Sequence, residues 1–242
     1  MSLWLHELAE ADHRILNPFS DQKLRLLGEV CRLAPGTTVL DLACGKGELL
    51  CLWAQEYGVT GHGVDLSEVF LDAAARRAAE LGVTDRVSLT HGDAAEYRPE
   101  TRYDIVSCLG ATWIGDGLLG TVELMRQWVE PDGLLLVGEP YWIDPPPAKA
   151  REAYARYRIT DLAGVLDRVE AAGCELVEMV MASPDDWDRY VASQWWTLTE
   201  WLRRHPDDPR AAQVRAFRDS ARRDYLAHDR RYLGWGVFVL RP

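Results

Sequence analysis

The chain has no excess of positive charge: 27 Lys and Arg face 38 Asp and Glu, a formal net charge of −11 over 242 residues. A protein that grips nucleic acid or an anionic membrane needs a basic face for phosphate contacts, and no dense run of Lys and Arg supplies one. Cysteine is sparse. Cys31, Cys44, Cys51, Cys108 and Cys174 are odd in number and lack metal-ligand or redox spacing, so the expectation is buried, reduced thiols and no metal. No basic-then-apolar leader opens the chain, where Glu7, Glu10 and Asp12 stand instead, and no apolar run reaches membrane-spanning length. These absences predict a soluble, cytoplasmic protein with no nucleic-acid or membrane partner; a homodimer stays open. Two nucleotide signatures are also missing. The nicotinamide fingerprint wants a third glycine where Leu50 stands, and the phosphate loop wants glycines followed by Lys-Ser or Lys-Thr.

What is present centres on Val39 to Leu50, VLDLACGKGELL. Val39, Leu40, Leu42 and Ala43 around Asp41 read as a short buried strand, broken by Gly45 and Gly47 before a helix that starts near Glu48. Glycines there let the backbone pass close to a ligand, and the unpaired N–H groups of the new helix favour an anionic group. Gly58 to Asp65 gives a second strand ending in a carboxylate, about 20 residues beyond Gly45, where such an acid accepts bonds from both hydroxyls of a ribose.

At these residues the chain resembles the class I S-adenosylmethionine-dependent methyltransferases, in which the first strand carries an acid followed by a Gly-x-Gly turn, here Asp41, Gly45 and Gly47. The match extends through Asp65 and a third acid in Gly92-Asp93-Ala94, and it departs at Ala43, where the commonest pattern has glycine. Some stretches look most like small stand-alone bacterial members of unassigned substrate. The resemblance implies S-adenosyl-L-methionine as cofactor. It places the ribose at Asp65, the adenine amine at Asp93, the adenine faces on Leu66 and Ala94, and the amino-acid end at Asp41 and the turn of Ala43, Gly45 and Gly47. Cys108 and Leu109, after the fourth strand, border the same crevice. The competing readings are a nicotinamide-dependent oxidoreductase, which Leu50 disfavours, and a non-catalytic protein that only binds the cofactor.

Strands and helices alternate from Pro35 onward, which predicts βαβ units. Strands are expected near 38–43, 60–65, 87–91, 103–108, 133–138, 174–182 and 232–240, with helices near 48–57, 68–81, 117–129 and 159–172. The fold class is therefore α/β: a doubly wound, Rossmann-like, mostly parallel seven-stranded sheet with helices on both faces. The resemblance makes the last strand antiparallel. Two leading helices are expected, Met1 to Arg14 and one capped by Ser20 that runs to Leu33. Residues 1–242 read as one domain: leading helices 1–35, cofactor core 36–183, helical lid insertion 184–231 and final strand 232–242.

The acceptor side is less legible. Trp113 follows the fourth strand, and Glu139 and Tyr141 follow the fifth, so Glu139 is the candidate to orient or deprotonate a nucleophile, against a loop cap or an arginine partner as its competing role. His13, Asn17 and Phe19 are lid candidates by resemblance. Trp196 falls off the apolar face that Trp187, Tyr190, Trp195 and Leu198 share, so it must meet solvent, a second chain or substrate. Trp113, Tyr141, Trp196 and His13 thus form the expected pocket for a small, mostly apolar acceptor.

Overall fold

Alternation along the strands decides which helices cover each face of the sheet. The computed structural model describes residues 2–242; Met1, where the first expected helix begins, lies outside the described residues. The chain runs through α1 (Leu3–Ala9), α2 (Asp21–Val30), β1 (Thr38–Leu42), α3 (Glu48–Tyr57), β2 (Thr60–Asp65), α4 (Glu68–Glu80), β3 (Val87–His91) and β4 (Tyr103–Leu109). It continues through α5 (Leu118–Arg126), β5 (Val129–Trp142), α6 (Ala148–Ala153), α7 (Leu162–Ala171), β6 (Glu175–Met181), α8 (Pro184–Arg204), α9 (Ala211–Asp224) and β7 (Leu233–Arg241). The seven strands lie in the order β3-β2-β1-β4-β5-β7-β6. Strands β1 to β5 pair in parallel, and β7 runs antiparallel between β5 and β6.

Val39, Ile105, Leu136 and Val237 join one core with Leu24 and Leu27 of α2 and Leu50 and Trp53 of α3. Their chain neighbours Leu40, Val106, Leu135 and Phe238 join the opposite core with Val122 and Met125 of α5 and Val165 and Val169 of α7. That is the period of two that a sheet covered on both faces requires. Leu50 fits the same logic. A side chain at Gly61 would meet Leu50 Cδ2 at 2.8 Å, so the bulk sits on α3 and the gap on β2.

Three expectations change. The first helix ends at Ala9, not Arg14, and Ser20 precedes α2 without making a side-chain capping bond. The fifth strand is longer than 133–138. Pro131-Asp132-Gly133 lies inside it as an irregularity, since Tyr103 pairs with Val129 and Ile105 with Leu134, and its far end continues through Glu139, Pro140 and Tyr141 because β7 pairs with them as Gly236, Trp235 and Gly234. A third, smaller core joins the N-terminus to the segment before β7: Leu5 and Ala9 of α1 pack with Leu198 and Leu202 of α8 and Ala211 and Val214 of α9. The leading helix and the insertion form one layer.

Candidate active site

Doubly wound sheets offer a crevice beyond the carboxyl ends of their strands where the strand order reverses, which here is between β1 and β4. Ala43, Gly45 and Gly47, in the turn after β1, all take the left-handed backbone, with φ of 60°, 56° and 64°. Asp65 closes that turn. Its Oδ2 accepts from Gly45 N at 2.8 Å and its Oδ1 accepts from Ser67 N at 2.8 Å, so two backbone donors fix the carboxylate in plane. Asp41 is buried, with Oδ1 accepting from Ser107 Oγ at 2.6 Å. Burial pushes its carboxyl up to about 7, Asp65 adds to the rise, and the Ser107 bond opposes it. Asp93, just past β3, is exposed, and its Oδ1 accepts from Ala95 N.

These groups line one cavity of about 730 Å³. Asp41, Ala43, Gly45, Asp65, Leu66, Asp93, Ala94, Leu109 and Trp113 border it. Gly47 and Cys108 do not. Gly47 begins α3 against Ala74, whose Cβ would lie 2.9 Å from an added side chain, and Cys108 is wholly enclosed by the second core.

The expected acceptor residues divide differently. Glu139 and Tyr141 belong to the β5–β7 ladder rather than to a loop beyond it, and neither borders the cavity. Burial raises the carboxyl of Glu139, with a hydrogen bond from Thr112 opposing the rise. The ring of Tyr141 fills the notch left by Gly234, where a Cβ would approach its Cζ to 2.3 Å. Trp196 is 72% exposed on α8 and away from the cavity wall. Trp196→Ala should therefore shift stability by no more than about 0.5 kcal/mol. A loss of several kcal/mol on thermal unfolding would show that it is covered.

His13 is also displaced from the cavity, into a polar clasp that no sequence pattern marks. Lys46 Nζ donates to three carbonyls of the N-terminal segment: Glu10 O (2.8 Å), Ala11 O (2.9 Å) and His13 O (2.6 Å). His13 Nε2 donates to Tyr190 O at 2.8 Å, while Tyr190 Oη and Gln194 Nε2 donate to Glu10 Oε1 at 2.7 and 2.8 Å. Arg14 pairs with Glu48, which Arg77 also holds at 2.8 Å. The clasp seats Leu16 on the glycine turn, where a Cβ at Gly45 would meet Leu16 Cδ1 at 2.7 Å. Arg14, Leu16, Asn17, Lys46 and Tyr190 thus join the cavity wall. Of these only Asn17 is among the lid candidates that the resemblance supplies.

Burial pushes the Glu10 carboxyl up to about 7, against the two hydrogen bonds and Lys46. A carboxyl raised on folding gives its full stability below the unfolded value of about 4.5 and loses it as pH rises toward 7. Glu10→Gln removes that loss. The variant should match the wild type near pH 4 and exceed it at pH 8 by up to about 3 kcal/mol in denaturant titrations. An equal deficit at both pH values would mean that the charge is not strained.

The family model described as a methyltransferase domain matches residues 39–133. The uncharacterized protein YjhP of Escherichia coli (strain K12) is 44% identical over 237 residues, covering 96% of each chain. A SAM-dependent methyltransferase from Geobacter sulfurreducens, solved in complex with S-adenosyl-L-homocysteine, superposes with a TM-score of 0.95 at 43% identity, covering 100% of this chain and 98% of its own. The corresponding enzyme from Thiobacillus denitrificans, in the same complex, gives 0.93 at 42% identity over 99% and 98%. The similarity runs the length of the chain, and the chain belongs to the S-adenosylmethionine-dependent methyltransferases.

Proposed function

We propose that the 730 Å³ cavity holds S-adenosylmethionine and that the chain directs its methyl group to a small-molecule acceptor. The observation that carries this reading is the convergence of Asp41, Asp65 and Asp93, from the ends of β1, β2 and β3, on one cavity beside the glycine turn. Asp65 fits a ribose diol. A carboxylate has about four acceptor positions, and backbone donors occupy only one on each oxygen, which leaves one per oxygen for a hydroxyl. Asp41 fits the ammonium of the amino-acid end, because a cation beside it favours ionisation that burial opposes. Asp93 with Leu66 and Ala94 would hold the adenine.

When bound, the sulfonium supplies an electrophilic methyl carbon, so the residues of this chain have to bind, align and exclude water. Leu16, Tyr190 and the clasp around Lys46 do the covering in this reading. Residues 1–242 then act as one domain, with the 1–35 and 184–231 segments as its lid. Glu139, held in the β5–β7 ladder and off the cavity wall, is assigned no part in proton transfer in this reading.

The net charge of −11 supports a neutral or cationic small acceptor over a polyanion, and five free cysteines support a reducing compartment such as the cytoplasm. Incubation with methyl-labelled S-adenosylmethionine and, separately, a panel of amines, alcohols and thiols, a protein extract and nucleic acid tests this. Label should enter a panel compound. Label confined to the protein or nucleic-acid fraction would overturn the small-molecule reading.

A further inference from the structure

A second cavity of about 280 Å³ adjoins the first and shares Leu16, Asn17, Gly110, Tyr157 and Tyr190 with it. Its wall is unusually aromatic, drawn from Tyr154, Tyr157, Trp187, Tyr190, Tyr225 and Trp235. The polar tips of four of these rings are already engaged. Tyr154 Oη donates to Asp229 Oδ2 at 2.6 Å, Tyr190 Oη to Glu10, Tyr225 Oη to Asp188 Oδ1 at 2.8 Å, and Trp187 Nε1 to Leu233 O at 3.0 Å. What those four offer the cavity is therefore π surface. Among the described residues the cavity wall contains no Lys, Arg or His.

Its acceptors are in the opposite state. Asp229, 6% exposed, borders the cavity, and its Oδ1 has no hydrogen-bond partner among the described residues. Asn17 Oδ1, at the junction of the two cavities, is likewise buried without one. Arg230, next to Asp229 in the chain, is turned away to Asp188, with Nε 2.9 Å from Oδ1. Asp229 sits at the end of a single π-helical turn, Tyr225–Asp229, that extends α9. Such widened turns carry a local cost and recur where a side chain must be aimed at a site. A buried carboxylate with one open oxygen, among ring faces and without a basic neighbour in the wall, is complementary to a cation that donates hydrogen bonds or presents a diffuse positive surface.

We propose that this second cavity is the acceptor subsite and that it takes an organic ammonium group, held by Asp229 and the surrounding rings. The proposal rests on the first cavity being the cofactor site, which makes the acceptor a small molecule that carries the ammonium group as a handle and receives the methyl at a different atom, since a protonated nitrogen has no lone pair to accept it. Asp229 is assigned binding and not chemistry.

Calorimetry on the wild-type protein saturated with S-adenosylhomocysteine, using tetramethylammonium and choline as probes and tert-butanol as the uncharged control, tests it. Both cations should bind saturably and tert-butanol should not. Asp229→Asn keeps the bond from Tyr154 and nearly the same volume, so it should retain affinity for S-adenosylhomocysteine yet bind the cations about 10- to 100-fold more weakly. Absence of cation binding to the wild type, equal binding of tert-butanol, or wild-type cation affinity in Asp229→Asn each overturns the proposal. The cation-against-alcohol comparison needs no variant, and it decides the matter even where Asp229→Asn folds poorly. If S-adenosylhomocysteine fails to bind while the cations bind through Asp229, the cofactor reading falls and the cation site stands.

Discussion

Asp65→Ala should lose cofactor affinity by about 100- to 10,000-fold, the largest effect expected of any single change. Each charge-assisted hydrogen bond to a ribose hydroxyl contributes about 1.5–3 kcal/mol, and Asp65 has one open acceptor position on each oxygen. The same substitution also frees Gly45 N and Ser67 N, the two donors that shape the turn after β1 and the start of α4. The fold should survive, because the carboxylate lies at the sheet edge and the packing of β2 rests on Val64 and the Leu50–Gly61 contact. Calorimetric titration of both proteins with S-adenosylhomocysteine measures the effect. Affinity within tenfold of wild type would remove Asp65 from the ribose site.

Lys46→Met should open the N-terminal segment. A half-buried ammonium donating to the carbonyls of Glu10, Ala11 and His13 is what ties that segment to the glycine turn. Methionine keeps the length of the stem but leaves three carbonyls to water. Discounting for solvent access, the expected cost is about 2–3 kcal/mol, or about 30- to 150-fold in the local opening equilibrium. Amide exchange of residues 10–19 should accelerate by that factor while β1 and β4 stay protected, and cofactor affinity should fall with it because Leu16 leaves Gly45. Unchanged exchange in that segment would show that the clasp is not what seats it, leaving Arg14–Glu48 and the small core of Leu5, Leu198 and Val214 to do so.

The legible parts of this chain were those whose signal is local. A strand of Val39, Leu40 and Leu42 between a Pro-Gly turn and a Gly-x-Gly turn states its own limits, and so do α3 between Gly47 and Gly58 and α4 behind its cap Ser67, whose Oγ accepts from Phe70 N. Three acids at three strand ends were legible because parallel topology places successive strand ends on one edge. Contacts between distant segments left no such mark. Pro140 looks like the end of β5, and only the presence of β7 as an antiparallel neighbour keeps Glu139 and Tyr141 in the sheet. Without that partner in view, the sequence alone sets both residues on the acceptor side. The clasp of Lys46 on Glu10 and His13 joins a turn to a helix end without any periodicity, and the aromatic cavity collects rings from the α6 region, α8, α9 and β7. Trp187 and Tyr190 carried a helical period that reads as core, yet a period cannot say that the surface they share encloses a space.

The most direct test is a crystal structure of the protein with S-adenosylhomocysteine. The ribose hydroxyls should lie within hydrogen-bond distance of Asp65, with the amino-acid end facing Asp41 and Gly45 and the adenine between Leu66 and Ala94 near Asp93. Ligand density elsewhere, or in this cavity with Asp65 bonded only to Gly45 N and Ser67 N, would contradict the account.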